Sequence, residues 1–158
     1  MAKKESVTSA IRQIREKDID YKLHIYVYKE KGGTKQTADE LGVDEHCVVK
    51  TLVFTDDEKN LFLVLMHGDK EVSLKELARQ IGTKKVTPAD ARQAMNATGY
   101  KFGGTSPFGI KQNLPVYVQV TIFGLERIFI NGGKQGYIIE IKPEALNVLN
   151  FLKIDAAL

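Results

Sequence analysis

Lys50 is the residue whose setting most invites chemistry. It lies inside the run Val48-Val49-Lys50-Thr51-Leu52-Val53-Phe54, which is rich in β-formers. Side chains alternate across a strand, so Lys50 shares a face with Val48, Leu52 and Phe54. A lysine among apolar neighbours is costly to bury without an anionic partner. Two readings stay open. In one, the ammonium is held in a cleft and binds a phosphate or carboxylate. In the other, it snorkels to water from an edge strand or closes a structural ion pair.

Two glycine-rich stretches could complement that cation. Gly103-Gly104-Thr105-Ser106-Pro107-Phe108-Gly109 places two adjacent glycines before a hydroxyl and a proline. Adjacent glycines allow close backbone approach and expose N–H groups, the makings of an anion nest or an oxyanion hole. The stretch fits neither the Walker pattern nor the dinucleotide fingerprint, so nucleotide binding of those types is unsupported. A tight helix-to-strand turn is the plain alternative. Asn131-Gly132-Gly133-Lys134-Gln135-Gly136 reads first as a hairpin loop with one exposed lysine.

Other reactive side chains lack a constellation. His67-Gly68-Asp69 follows an apolar run and reads as a strand-to-helix turn, because neighbouring residues seldom present side chains to one atom. His24 and His46 have no partner pattern. Cys47 reads as a small buried hydrophobe, with no Cys/His/Asn signature around it. No metal-ligand spacing and no Gly-x-Ser-x-Gly elbow occur. The pattern ends at an anion-binding cleft made of one lysine and two glycine loops, and identifies no reaction.

The elements that must position these residues follow from periodicity. Val7, Ala10, Ile11 and Ile14 predict a helix over 6–17, and Leu23–Tyr28 a strand. Thr37-Ala38-Asp39-Glu40 and Ser73-Leu74-Lys75-Glu76 are capping-box patterns, closed by Gly42 and Gly82. Cys47–Phe54 and Leu61–Met66 predict two strands around a polar hairpin loop. Thr87-Pro88-Ala89-Asp90 predicts a helix start with Thr87 as cap. Val116–Phe123, Arg127–Ile130 and Tyr137–Ile141 predict strands, and Glu144–Leu152 a final helix after Pro143. Mostly hairpin-connected strands with interspersed helices point to one α+β domain over 1–158 with a mixed sheet.

Composition sets the class. The chain has 158 residues, 43% hydrophobic and 27% charged, within ordinary globular values. One cysteine excludes an internal disulfide framework. The longest purely apolar run, Leu61–Met66, is far too short to span a membrane. Met1–Glu5 opens no apolar stretch of signal-peptide type, so a cytoplasmic protein is expected. The net charge of +3 hides a pattern: +4 over 1–35, −5 over 36–70 and +4 over 71–158. Residues 79–134 carry 8 basic and 2 acidic residues. A solvated basic surface or an anionic partner would each explain that window.

Taken in order, Val48-Val49-Lys50-Thr51-Leu52, Gly99-Tyr100, Gly103–Gly109 and Gly132-Gly133-Lys134-Gln135-Gly136 resemble the YbaK/EbsC family. That family is related to the editing domain inserted in bacterial prolyl-tRNA synthetases. The resemblance covers roughly residues 5–152. It implies a mixed, partly open β-barrel-like sheet of about six or seven strands with surrounding helices. It also implies a trans-editing deacylase that removes a mischarged amino acid, cysteine from Cys-tRNA(Pro) for YbaK proper and alanine for related members. Under it, Lys50 orients the 3′-terminal adenosine, and the Gly103 and Gly104 backbone holds the aminoacyl carbonyl. Thr105, Ser106 and Pro107 shape the pocket, with Tyr26 as a pocket tyrosine. Gly132, Gly133 and Lys134 form the opposite wall. Many members carry Arg where this chain has Gln135 and an Asp near Ile138, which bears on amino-acid specificity. No cofactor and no metal are implied. The implied partners are the acceptor end of mischarged tRNA and prolyl-tRNA synthetase. A non-catalytic tRNA- or nucleotide-binding module and a small-molecule hydrolase remain the alternatives.

Overall fold

The computed structural model describes residues 6–158, so the reading of Met1–Glu5 lies outside the described residues. Helix α1, Ser9–Glu16, starts where the Thr8 hydroxyl accepts from the Ile11 N–H, and buries Ala10, Ile11 and Ile14. Strand β1, Lys22–Ile25, follows, then α2, Gly33–Leu41. A short 3-10 helix, Glu45–Cys47, leads into β2, Val48–Thr55, and β3, Leu61–His67. Helix α3, Leu74–Ile81, opens on the Ser73 hydroxyl, which accepts from the Glu76 N–H. Strand β4 is Thr87–Pro88, and α4, Ala91–Thr98, starts where the Asp90 carboxylate accepts from the Arg92 and Gln93 N–H groups. The remaining strands are β5 (Val116–Gln119), β6 (Ile128–Asn131), β7 (Tyr137–Ile141) and β8 (Phe151–Ile154).

The eight strands form one mixed sheet in the order β1-β7-β6-β2-β3-β5-β8, with β4 on β2. The sheet is α+β in type and open between β1 and β8. The main core lies on one face, where Val49, Leu63, Leu65, Val118, Ile130 and Ile139 pack with α1. The other face carries Phe54, Phe62 and Val64 against α3 at one end. At its other end Val48, Phe129 and Ile138 pack against Ala38 of α2. Each fully buried aliphatic side chain contributes roughly 1.5–3 kcal/mol.

Strand β2 does the positioning. It pairs with β3 along its length, from Val49↔His67 to Thr55↔Leu61. Its other edge meets β6 only at Val48 and Val49, and β4 only at Phe54 and Thr55. Between those pairings the edge carries no strand among the described residues, and the Ala89 N–H reaches back to the Val53 carbonyl, at 2.9 Å.

Several expected elements differ. The sheet has eight strands rather than six or seven, because Thr87–Pro88 and Phe151–Ile154 pair as strands. Thr37 is no cap: the helix begins four residues earlier, and the Thr37 hydroxyl bonds the Gly33 carbonyl inside it. Thr87 pairs with Thr55, which leaves capping to Asp90. The expected final helix is a 3-10 helix, Pro143–Val148, followed by β8, whose parallel pairing to β5 supplies ladder bonds a longer helix would forgo. The strand from Val116 stops at Gln119, and Val120–Gly124 turns as a 3-10 helix that buries Ile122. Strand β1 stops at Ile25, where its partner β7 ends at Tyr137.

Candidate functional site

The unpaired stretch of β2 opens into a cavity of about 420 Å³. Lys50, Thr51 and Leu52 form one wall, and α4 supplies another through Ala94 and Met95. Glu71, Tyr100 and Thr105 also line it. The sequence alternation holds: Val48, Leu52 and Phe54 serve the clusters on one face of β2, while Val49 and Val53 serve the main core. Lys50 falls between the two outer clusters, and so faces neither.

Lys50 is half-buried, and among the described residues its Nζ donates only to the Gly68 carbonyl, at 3.4 Å. No carboxylate lies within ion-pair distance of it among the described residues. Thr51 beside it has a buried hydroxyl with no hydrogen-bond partner among the described residues. A buried polar group left unpaired costs about 1–3 kcal/mol. Alternation turns the Thr51 side chain to the opposite face of β2, so it is the cation with no carboxylate partner, at the open stretch of the strand, that prepares this cavity for an anionic ligand.

The structure brings the two glycine loops together. A side-chain carbon on Gly104 would sit 2.9 Å from the Gln135 nitrogen and 3.1 Å from the Lys134 carbonyl carbon. Asn131 Nδ2 donates to the Gly103 carbonyl at 3.0 Å, and Gln135 Nε2 to the Phe102 carbonyl at 2.8 Å. Gly103 has φ +83°, with the Tyr28 hydroxyl where a side chain would be. The Gly104 N–H donates to the Lys101 carbonyl. The N–H groups of Gly103, Thr105 and Ser106 have no partner among the described residues; Ser106 is buried, which leaves Gly103 and Thr105 as the loop's accessible free donors.

The other expected residues sit around this junction. Thr105 lines the cavity. Ser106 and Pro107 are buried behind the loop, and the Ser106 hydroxyl accepts from the Phe108 N–H at 3.2 Å. The Gly132 N–H donates to the Tyr137 carbonyl and the Gly133 N–H to Asn131 Oδ1, so these two shape the turn. Lys134 Nζ lies 3.4 Å from Ser6 Oγ and over the Tyr137 ring. Tyr26 packs in the Val48–Ile138 cluster and shares a 2.8 Å hydrogen bond with Thr37, so it borders Lys50's strand face without lining the cavity. Burial pushes its hydroxyl pKa up. Ile138 is a buried apolar wall in that cluster, and Gln135 ties the two loops.

Three contributors had no separate sequence signal: Thr51, Glu71 and the α4 wall. Their roles depend on the missing strand beside β2. Tyr100 is buried, and its hydroxyl donates to the Phe108 carbonyl at 2.5 Å. Burial pushes its pKa up to about 12. Cys47 donates its thiol to the Asp44 carbonyl, and burial pushes its pKa up, which suppresses the thiolate. Among the described residues no three His, Cys, Asp or Glu side chains group to hold a metal ion. No helix among them is long and apolar enough to cross a membrane.

A family model described as "Aminoacyl-tRNA editing domain" matches residues 30–149, which hold Lys50 and both glycine loops. A protein of Enterococcus faecalis named "Putative Cys-tRNA(Pro)/Cys-tRNA(Cys) deacylase EbsC" is 32% identical over 149 residues, covering 92% of this chain and 91% of that protein. A proline--tRNA ligase of Ligilactobacillus salivarius is 31% identical over 102 residues, covering 65% of this chain and 18% of the ligase. The crystal structure of "a putative trans-editing enzyme for prolyl tRNA synthetase" shares the fold, with a TM-score of 0.81 at 22% identity over 95% of this chain and 97% of that one.

Proposed function

This chain belongs to the aminoacyl-tRNA editing domain family, and on that premise we propose that it is a trans-editing deacylase that removes cysteine from Cys-tRNA(Pro). The observation that carries the proposal is the Lys50 ammonium, unpaired with any carboxylate, on the wall of a cavity beside a loop with free N–H groups. Lys50 binds the phosphate or ribose of the terminal adenosine. The Gly103 and Thr105 N–H groups meet the aminoacyl carbonyl oxygen as negative charge develops there, and Gly104 sets their approach by packing on the second loop.

An aminoacyl ester is an activated acyl group, so orientation and oxyanion stabilisation suffice for a large part of the rate. With cysteine, the substrate's own sulfur attacks the carbonyl carbon. The C–O bond to the ribose breaks, a cyclic thiolactone forms, and the thiol proton passes to the released ribose oxygen. The suppressed thiolate of Cys47 supports a reading in which the reacting sulfur belongs to the substrate. The basic window 79–134 meets the acceptor stem through phosphate contacts, which position without reading sequence. A complex with prolyl-tRNA synthetase would deliver the mischarged tRNA.

The test is Lys50→Ala, with the fold checked by circular dichroism. Deacylation of Cys-tRNA(Pro) falls by about 10²-fold or more, the scale of losing one charge-stabilising group. Full retained activity would remove Lys50 from the site.

A further inference from the structure

Lys50 is held through a single carbonyl. The Gly68 oxygen that accepts its Nζ also accepts the Thr34 hydroxyl, at 3.2 Å. The Gly68 N–H donates to the Val48 carbonyl at 2.6 Å. A side chain at Gly68 would meet Thr34 at 2.7 Å and the Glu45 carbonyl at 3.0 Å, so this turn has no slack. Whatever fixes residues 67–69 therefore fixes the ammonium.

His67 is what fixes them. Its side chain is buried, with 1% exposure. Nδ1 lies 2.7 Å from the His46 carbonyl, and Nε2 lies 2.6 Å from the Thr121 hydroxyl. A carbonyl only accepts, so Nδ1 carries a proton; the Thr121 hydroxyl can donate to Nε2 or accept from it, and burial of the ring favours the neutral form, in which Nε2 accepts from Thr121. The His46 ring stacks on it at 3.8 Å and 8°, and His46 Nδ1 meets Asp69 Oδ1 at 2.9 Å. One side chain thus joins the end of β3 to the 3-10 helix that enters β2 and to the 3-10 helix that leaves β5.

We infer that His67 is a positioning residue for Lys50: its neutral ring staples the 67–69 turn, and so places the ammonium that the editing reading assigns to the terminal adenosine. A second proton on the ring would turn the Thr121 hydroxyl over and set a charge against the stacked His46. The charged and titratable groups around the ring are His46 from the 45–47 segment, Asp69 and Lys70 from the turn, and Lys50 through Gly68. Glu45 reaches the turn through Thr34, and Asp155 reaches Thr121 through Gln119. Burial holds the His67 pKa below its usual value, against the hydrogen bond to the His46 carbonyl that raises it, in keeping with a neutral staple.

The test needs no tRNA, so its outcome is independent of whether the chain deacylates. The Lys50 side-chain carbon resonance, assigned by its loss in Lys50→Ala, is followed by NMR from about pH 8 to about pH 4.5, across and below the usual histidine range. It moves in one step together with the His67 ring. In His67→Asn, which keeps an N–H towards the His46 carbonyl and does not titrate, that step is gone. Should His67→Asn lose its dispersed amide spectrum, Thr121→Val serves instead. It removes only the Nε2 partner, and the Lys50 resonance at pH 8 is displaced from its wild-type position. A Lys50 signal that ignores the His67 titration, keeps its step in His67→Asn, or is unmoved in Thr121→Val overturns the assignment.

Discussion

Thr51 carries a hydroxyl that is buried and has no hydrogen-bond partner among the described residues. Leaving it so costs about 1–3 kcal/mol. Thr51→Val removes the hydroxyl and keeps the shape. It is expected to raise the melting temperature by about 2–4 °C, the equivalent of roughly 1 kcal/mol in a chain of this size. Deacylation is expected to change little, because the hydroxyl faces away from the Lys50 side of β2. Thermal melts and steady-state rates check both, and a lowered melting temperature would give the hydroxyl a structural role. The neighbouring Lys50 was legible because alternation sets it on one face with Val48, Leu52 and Phe54, where a charge stands out. Thr51 was not, because its isolation depends on where β6 and β4 stop along the β2 edge. Tyr26 shows the limit of resemblance: its hydroxyl is engaged by Thr37, a contact that no spacing announces.

At the scale of elements, identical patterns had different fates. Ser73 caps α3 with its hydroxyl, but the other half of the Ser73-Leu74-Lys75-Glu76 box does not form, because the Ser73 N–H donates to the Ala156 carbonyl and the Glu76 carboxylate accepts from Arg79 and Gln80. Thr37-Ala38-Asp39-Glu40 lies within a helix already begun at Gly33. The two glycine loops were each visible, but their junction was not: it forms only when the sheet brings residues 103–104 against 134–135. Gly104→Ala tests that junction. Its methyl group must displace the Lys134–Gln135 backbone, at a cost of about 1–3 kcal/mol. The value of kcat/KM falls about tenfold, as expected when reacting groups are misplaced by a fraction of an ångström. Gly124→Ala, where a methyl group meets nothing within 4 Å, is the control that leaves both unchanged.

For the whole molecule, the charge of +3 matters less than its distribution, with the basic window 79–134 offset by the acidic 36–70. Stability against pH is a second molecular property with a sign that can be worked out. Burial depresses the His67 pKa, so the unfolded chain takes up a proton that the fold resists. The contribution is fully present above about pH 6.5 and is lost as pH falls through the folded value. The hydrogen bond from His24, with Arg127, holds the Glu140 carboxyl below its usual range, so its contribution is present above about pH 4.3 and is lost below. Urea unfolding should therefore show stability falling first below about pH 6.5 and again in the carboxylate range. A profile flat from about pH 7 to 4 would contradict both shifts.

The central claim is ester cleavage at this cavity. The most direct measurement is the half-life of the aminoacyl ester on Cys-tRNA(Pro), Ala-tRNA(Pro) and correctly charged Pro-tRNA(Pro), with and without the protein. Accelerated loss of cysteine and an unchanged prolyl ester are expected. Half-lives equal to buffer for all three, with tRNA still retarded in a gel, would make the chain a binder rather than a deacylase and contradict the account.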